Sequence, residues 1–311
     1  MGISRRQLLG SIGAAAAITV LPEGAEAQGF KRKPSLRIAH LTDIHVQPEK
    51  KSALGMERAV EHAQQFKPDL ILFGGDQIMD ALAVDHDRMK AQWDIFRRVA
   101  RANVGTPVES ILGNHDVWGW NQPQLYKNEL GYGKRFALDT LEMESPYRSF
   151  DRGGWHIVLL DSSFPKTAGY TAKLDDTQFE WLADDLAKTP KTRPIMVCSH
   201  IPILSPAAFL DGDNEDTGNW RVPGAWMHID ARKIKDLFKK HKNVKLCVSG
   251  HLHMVDSCRY LGVSYHCNGA VSGGWWGGDY QEFKPGYALI DLYSDGWFFN
   301  RYIPYGGTAQ P

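Results

Sequence analysis

The sequence predicts an α/β fold: one domain built as a four-layer αββα sandwich, two mixed β-sheets packed face to face with helices outside. Three observations carry that expectation. Between residues 36 and 112, short apolar runs alternate with stretches of helical period, the pattern of βαβ units with parallel strands. After residue 253 the runs become closely spaced and antiparallel in character. Five strand-like runs also end in residues able to ligate a metal, and in open α/β sheets ligands bind at the carboxyl ends of strands.

Taken in order, the run 36–42 opens the domain as a strand. Met56, Ala59, Val60, Ala63 and Phe66 recur at helical spacing, so 53–66 reads as an amphipathic helix that Pro68 ends. Leu70 to Phe73 is the second strand, Trp93, Phe96 and Val99 mark a helix over about 86–102, and Val108 to Leu112 is the third strand. Residues 118–150 carry Gly, Pro and mixed charges without a clean period, and read as an insertion with short elements near the site. A strand returns at 155–160. Asp175 with Gln178 resembles a capping box ahead of Phe179, Leu182 and Leu186. A strand at 194–199 leads into a second insertion, 203–228, which is long enough to be a partial lid or a floppy surface loop. Ile234, Leu237 and Phe238 mark another helix, and a strand follows over 245–248. Strands are then expected at 254–260, 263–267, 287–292 and 297–303.

The 311 residues divide into a leader, 1–27, and the domain, 28–311. The leader has a twin arginine in Ser4-Arg5-Arg6-Gln7-Leu8-Leu9, a modest apolar stretch from Leu8 to Val20, and the small-x-small pattern Ala25-Glu26-Ala27. That apolar stretch is short of the ~20 residues that span a bilayer, so no stable membrane anchor is expected. It resembles a bacterial twin-arginine export signal, which implies the twin-arginine translocation machinery as a partner and a periplasmic or secreted destination. Lys+Arg and Asp+Glu both total 36, so no nucleic-acid polymer or membrane surface is expected as a partner. Of the four cysteines, Cys198 and Cys247 lie inside apolar strands. Cys258 and Cys267 flank a hairpin around Leu261-Gly262, where register decides whether they can bridge.

The chemistry gathers at the strand ends. The first run ends in Asp43-Ile44-His45, the second in Gly74-Gly75-Asp76, the third in Gly113-Asn114-His115-Asp116. The 195–199 run ends in His200, and the 245–248 run in Ser249-Gly250-His251-Leu252-His253. Residues i and i+2 of an extended segment point the same way, so Asp43 with His45, and His251 with His253, can each grip one ion.

In that order these blocks resemble the calcineurin-like metallophosphoesterases, and the matched motifs run from Asp43 to His253. The resemblance implies the same four-layer sandwich and a dinuclear centre. Asp43, His45 and His253 would bind one metal, Asn114, His200 and His251 the other, and Asp76 would bridge them, having two carboxylate oxygens to share. The ions would be divalent or trivalent, and a nitrogen–oxygen ligand set suits Fe, Mn, Zn or Co without choosing among them. The implied reaction is hydrolysis of a phosphomono- or phosphodiester, a small-molecule phosphoester, by a hydroxide held between the metals. His115, beside Asn114, would contact the phosphate and act as general acid; Asp116 could orient it or merely close the turn. Purple acid phosphatases place a tyrosine three residues after the bridging Asp, and here that position is Met79.

Among the family's branches the resemblance is greatest to bacterial cyclic-nucleotide phosphodiesterase-like members, from which the chain departs at Gln77, where an apolar residue is usual. Two other classes are a metal-binding protein without turnover and a secreted thiol protein; chelation would separate the second from a metalloenzyme. His40, His62, His86, His156, His228, His241 and His266 read as structural or surface residues. Trp118, Trp120, Trp275 and Trp276 are either aromatic walls of the site or core.

Overall fold

The computed structural model describes residues 32–306. The leader, 1–27, lies outside the described residues. In chain order the elements are β1 (Leu36–Leu41), α1 (Ser52–Gln64), β2 (Leu70–Phe73), α2 (His86–Asn103), β3 (Val108–Ser110), α3 (Pro123–Tyr126), α4 (Arg135–Thr140), β4 (Arg148–Arg152), β5 (Trp155–Leu160), β6 (Ser163–Pro165), β7 (Tyr170–Ala172), α5 (Asp176–Lys188), β8 (Ile195–Ser199), α6 (Ala231–Phe238), β9 (Val244–Ser249), β10 (Val255–Tyr260), β11 (Val263–Asn268), β12 (Gly286–Leu292) and β13 (Phe298–Pro304).

Two mixed sheets form the middle layers. The first has the order β13-β12-β1-β2-β3, and the second β10-β11-β9-β8-β5-β4. β1, β2 and β3 run parallel through the crossovers α1 and α2, while β12 and β13 add antiparallel strands on the other side. In the second sheet β5, β8, β9 and β11 are parallel, and β4 and β10 are antiparallel edges. Both sheets therefore direct the carboxyl ends of their central strands toward a common edge.

Strand alternation decides the layers. Leu36 and Ile38 of β1 join Ile157, Leu159, Met196, Cys198, Leu246 and Val248 in the core between the sheets. Ala39 and Leu41, one residue out of phase, pack against Met56, Val60, Trp93 and Phe96 of α1 and α2. Val158, Leu160, Ile195 and Val197 face Leu182, Leu186, Ile234 and Phe238 of α5 and α6 on the far side. Each such wholly buried aliphatic side chain contributes about 1.5–3 kcal/mol relative to exposure. Among the described residues no helix is long and apolar enough to cross a membrane.

Four details refine the expectation. β3 is short and Val108 is 42% exposed; Ile111 and Leu112 are buried beyond the ladder, where the chain turns toward the site. Asp175 caps α5 through Gln178 N (2.7 Å), but the Gln178 side chain brackets the backbone of Asp161 instead of closing a capping box. Cys258 opposes Tyr265 and Cys267 opposes Asp256, so the hairpin holds the two thiols out of register; all four cysteines are free. The ribbon β6–β7 and helices α3 and α4 were hidden in stretches without period.

Candidate metal centre

Every motif from the strand ends arrives at one place. Asp43, His45 and His253 offer ligand atoms within 4.8 Å of one another, and so do Asp76, His200 and His251. A third triplet, His45, Asp76 and His115, joins the two. Asn114 is buried in the turn between Gly113 and His115.

The convergence does not come from strand alternation. β1 has ended at Leu41, and Asp43 (φ 55°) and His45 (φ 51°) are in the left-handed region. Asp76 (52°), His251 (73°) and His253 (58°) share it. A left-handed backbone is uncommon for residues other than glycine and clusters at functional sites. It turns the chain sharply enough for alternate residues of a loop to face one point. The neighbouring glycines make room: a methyl group on Gly113 would lie 2.1 Å from Asp76 Oδ1, and one on Gly250 would lie 2.2 Å from Asp43 Oδ2.

Hydrogen bonds then divide each carboxylate. Asp43 Oδ2 accepts from Thr42 Oγ1 (2.6 Å) and His251 N (2.9 Å), which leaves Oδ1 facing His253 Nε2 at 3.4 Å and His45 and His200 Nε2 at 3.9 Å. Asp76 Oδ1 accepts from His115 N (2.8 Å), and Oδ2 sits between His200 Nε2 (3.2 Å) and His45 Nε2 (3.7 Å). The oxygen that faces both His45 and His200 is thus Oδ2. His200 Nδ1 donates to Gly74 O (2.8 Å) and His253 Nδ1 to Gly273 O (2.5 Å). A carbonyl acceptor on one ring nitrogen orients the ring and presents the other to the centre.

Asp116 makes the contacts of a turn-closing residue, the second of the two roles the sequence left open to it. It accepts from the backbone N–H groups of Gly113 (2.8 Å), Asp76 (2.9 Å), Gln77 (2.9 Å) and Ile78 (3.3 Å), clamping two loops together. The carboxylate beside His115 is Asp80, whose Oδ1 lies 3.9 Å from Nδ1. Burial and then the Asp76 charge push the Asp116 pKa up to about 8.

The electrostatics favour cations. Burial alone would raise Asp43 and Asp76, but facing imidazoles, His200 first, hold both below the usual carboxylate range. For His200 burial favours the neutral ring, yet Asp76 and Asp43 prevail and raise it to about 10. Burial and then the His200 charge lower His251 to about 3. Asp43 Oδ1, Asn114 Oδ1, His200 Nε2 and His251 Nδ1 are buried without a hydrogen-bond partner. Each orphaned atom costs about 1–3 kcal/mol unless something pairs with it. Two carboxylates with these nitrogen and oxygen donors fit a pair of metal ions.

The sequence description of the calcineurin-like phosphoesterases matches residues 36–255, which contain every residue of the cluster. The chain belongs to the calcineurin-like phosphoesterase family. Members are dinuclear metal-dependent, and this phosphoesterase is a hydrolase acting on phosphoester bonds. It is 23% identical over 302 residues to a 3',5'-cyclic-nucleotide phosphodiesterase of Nostoc sp., covering 91% of this chain and 98% of that protein. It is also 23% identical to a 3',5'-cyclic adenosine monophosphate phosphodiesterase of Haemophilus influenzae, covering 85% and 88% of the two chains. Among solved structures, a dimetal phosphatase from Danio rerio superposes with a TM-score of 0.63 at 15% identity, over 88% of this chain and 97% of that one, a likeness of fold.

The remaining candidates sort by packing. His40 is buried between the sheets beside Asn268 Nδ2 (3.0 Å), and burial lowers its pKa to about 4. Trp118, Trp120 and Trp276 are core; Trp276 Nε1 donates to His45 O (3.0 Å). Trp275 lies against the His253 ring at 4.5 Å. Two aromatic neighbours went unnoticed in the sequence: Tyr280, 5.5 Å from the His253 ring, and Tyr170, 6.4 Å from that of His251. Neither stands in a recognisable motif, and both lie outside the 118–150 and 203–228 insertions.

Proposed function

We propose that this phosphoesterase hydrolyses phosphodiesters at two metal ions. Asp43, His45 and His253 hold one ion, Asn114, His200 and His251 the other, and Asp76 lies between them. When bound, such ions lower the pKa of water and offset charge on the phosphoryl oxygens. The protein's own part begins with positioning: the Asp116 clamp and the carbonyls of Gly74 and Gly273 fix the ligand rings before substrate arrives. His115, partly open to solvent at the cluster's edge, contacts the phosphate and passes a ring proton to the departing ester oxygen. Water oxygen joins phosphorus and gives up a proton to solvent, the ester P–O bond breaks, the leaving oxygen takes the proton from His115, and His115 regains one from solvent. The single observation that carries this reading is the set of buried, unpartnered nitrogen and oxygen atoms gathered from four strand ends, with the Asp76 carboxylate of a fifth among them.

A cyclic nucleotide is the second reading for the substrate, supported by the activities named for the bacterial relatives. The same proposal takes residues 1–27 as a twin-arginine signal that delivers a folded, metal-loaded enzyme to the periplasm or beyond. Cyclic adenosine monophosphate acts in the cytoplasm, so an exported enzyme fits a scavenging role better. N-terminal sequencing of exported protein tests the signal, with residue 28 expected first. Metal analysis beside a panel of phosphomonoesters, linear diesters and cyclic diesters tests the chemistry. Diester turnover that a chelator abolishes and Mn or Fe restores is expected. Metal-loaded protein that turns over none of the panel would overturn it.

A further inference from the structure

Trp275 and Trp276 are consecutive, and both have positive φ, 51° and 66°. For bulky residues that conformation is strained and persists where the surroundings enforce it. Trp276 accounts for its share through burial: only 6% exposed, it packs over Gly55 and anchors His45 O. Trp275 is different. It stays partly open to solvent while its ring lies 4.5 Å from that of His253 and 6.1 Å from that of His45. The loop behind it is closed by Gly274 N to Gly278 O (2.9 Å) and Gly277 N to Gly274 O (2.9 Å).

A second ring holds Trp275 from the side. Tyr280 meets it edge-on at 5.3 Å and meets His253 at 5.5 Å. The Tyr280 hydroxyl donates to Asp211 Oδ1 (2.8 Å), and Gln281 Nε2 donates to the same oxygen (3.0 Å). Asp211 belongs to the 203–228 insertion, so that insertion braces the aromatic wall instead of hanging free.

We infer that Trp275, braced by Tyr280 and Asp211, is a stacking surface that selects phosphoesters carrying a flat ring, a nucleobase or an aryl group. The inference rests on the phosphoesterase reading and narrows its substrate class. An indole beside the phosphate-binding centre adds more affinity to a flat aromatic substituent than to a sugar or glycerol. Stacking of a base on an aromatic side chain is worth about 1–3 kcal/mol, which is about 5- to 150-fold in affinity.

The test is calorimetric binding of adenosine 5'-monophosphate and ribose 5-phosphate to metal-loaded protein, a pair that differs only in the base. The nucleotide should bind at least about 10-fold tighter to the wild type. Trp275→Ala should bring the ratio to about 1 while moving the ribose 5-phosphate affinity by less than about twofold. Trp275→Phe, which keeps a ring, should retain an intermediate ratio, and it decides the matter if the alanine variant does not fold. A wild-type ratio near 1, or a ratio unchanged by either substitution, overturns the inference. If Trp275 only packed His253, both ligands would weaken together. Absence of phosphoester turnover would count against the enzymatic reading alone, because the binding ratio is read without catalysis.

Discussion

Two clusters of histidine and aspartate sit at opposite ends of the second sheet, and they are built from the same residue types to opposite effect. The cluster beyond the carboxyl ends holds His200, His251 and their aspartates. The other surrounds His156 at the amino end of β5. His156 Nδ1 meets Asp151 Oδ1 at 2.7 Å and Nε2 meets Asp185 Oδ2 at 2.8 Å. Asp185 Oδ1 also accepts from Ser149 Oγ (2.8 Å), and Asp151 pairs with Arg193. The ring there has both nitrogens partnered. At the other end, Asn114 Oδ1 and His251 Nδ1 are buried and unpartnered. A histidine–carboxylate cluster whose members satisfy one another is a structural network; one with lone pairs left over and aimed together is a ligand set.

Substitutions at the two clusters should therefore separate activity from stability. The largest effect is expected from Asp76→Ala, which removes the one oxygen between His45 and His200: activity should fall by more than about 100-fold, with fewer metal ions per chain on elemental analysis. Wild-type metal content in that variant would break the assignment. His115→Ala should come next. It should slow alkyl esters by about 10²–10⁴-fold and nitrophenyl esters much less, because a good leaving group needs no proton. Equal losses on both substrates would remove His115 as the acid.

At the structural cluster the expected change is smaller and of another kind. His156→Gln should cost about 2 kcal/mol of unfolding free energy in urea titrations and leave metal content unchanged. Its pH dependence has a definite sign. Burial opposes charge on His156, but Asp185 and then Asp151 outweigh it and raise the pKa in the folded protein. The stability this gives is complete below the unfolded value of about 6.5 and is lost as the pH rises through the folded value. Wild-type stability should thus decline as the pH rises above about 6.5, and His156→Gln should flatten that decline. An unaltered profile in the variant would mean that the pair is not what titrates.

The contrast also explains what was legible beforehand. The ligand residues were readable because each stands at the end of a run whose period is local. Asp43, Asp76, His200 and His251 could be picked out one strand at a time. His156 stands inside a strand, and its partners come from β4 and α5, so nothing nearby in sequence signalled a pair. Asp116 kept two roles open for a related reason. It adjoins His115 in sequence, which suggested a partner, yet its oxygens are consumed by four backbone N–H groups, three of them from the 76–78 loop.

By itself the sequence determined the layers, the strand order within each βαβ unit and the identity of the ligand candidates. Alternation and helical period act over a few residues, and apolar faces must be buried wherever they fall. Only the tertiary structure decided how those candidates meet. Left-handed turns at Asp43, His45, Asp76, His251 and His253 aim them at one point, and hydrogen bonds from distant loops choose which oxygen or nitrogen remains free. The brace from Asp211 through Tyr280 to Trp275 belongs to that second kind: its ends are 64 residues apart, and no local pattern records which rings will touch.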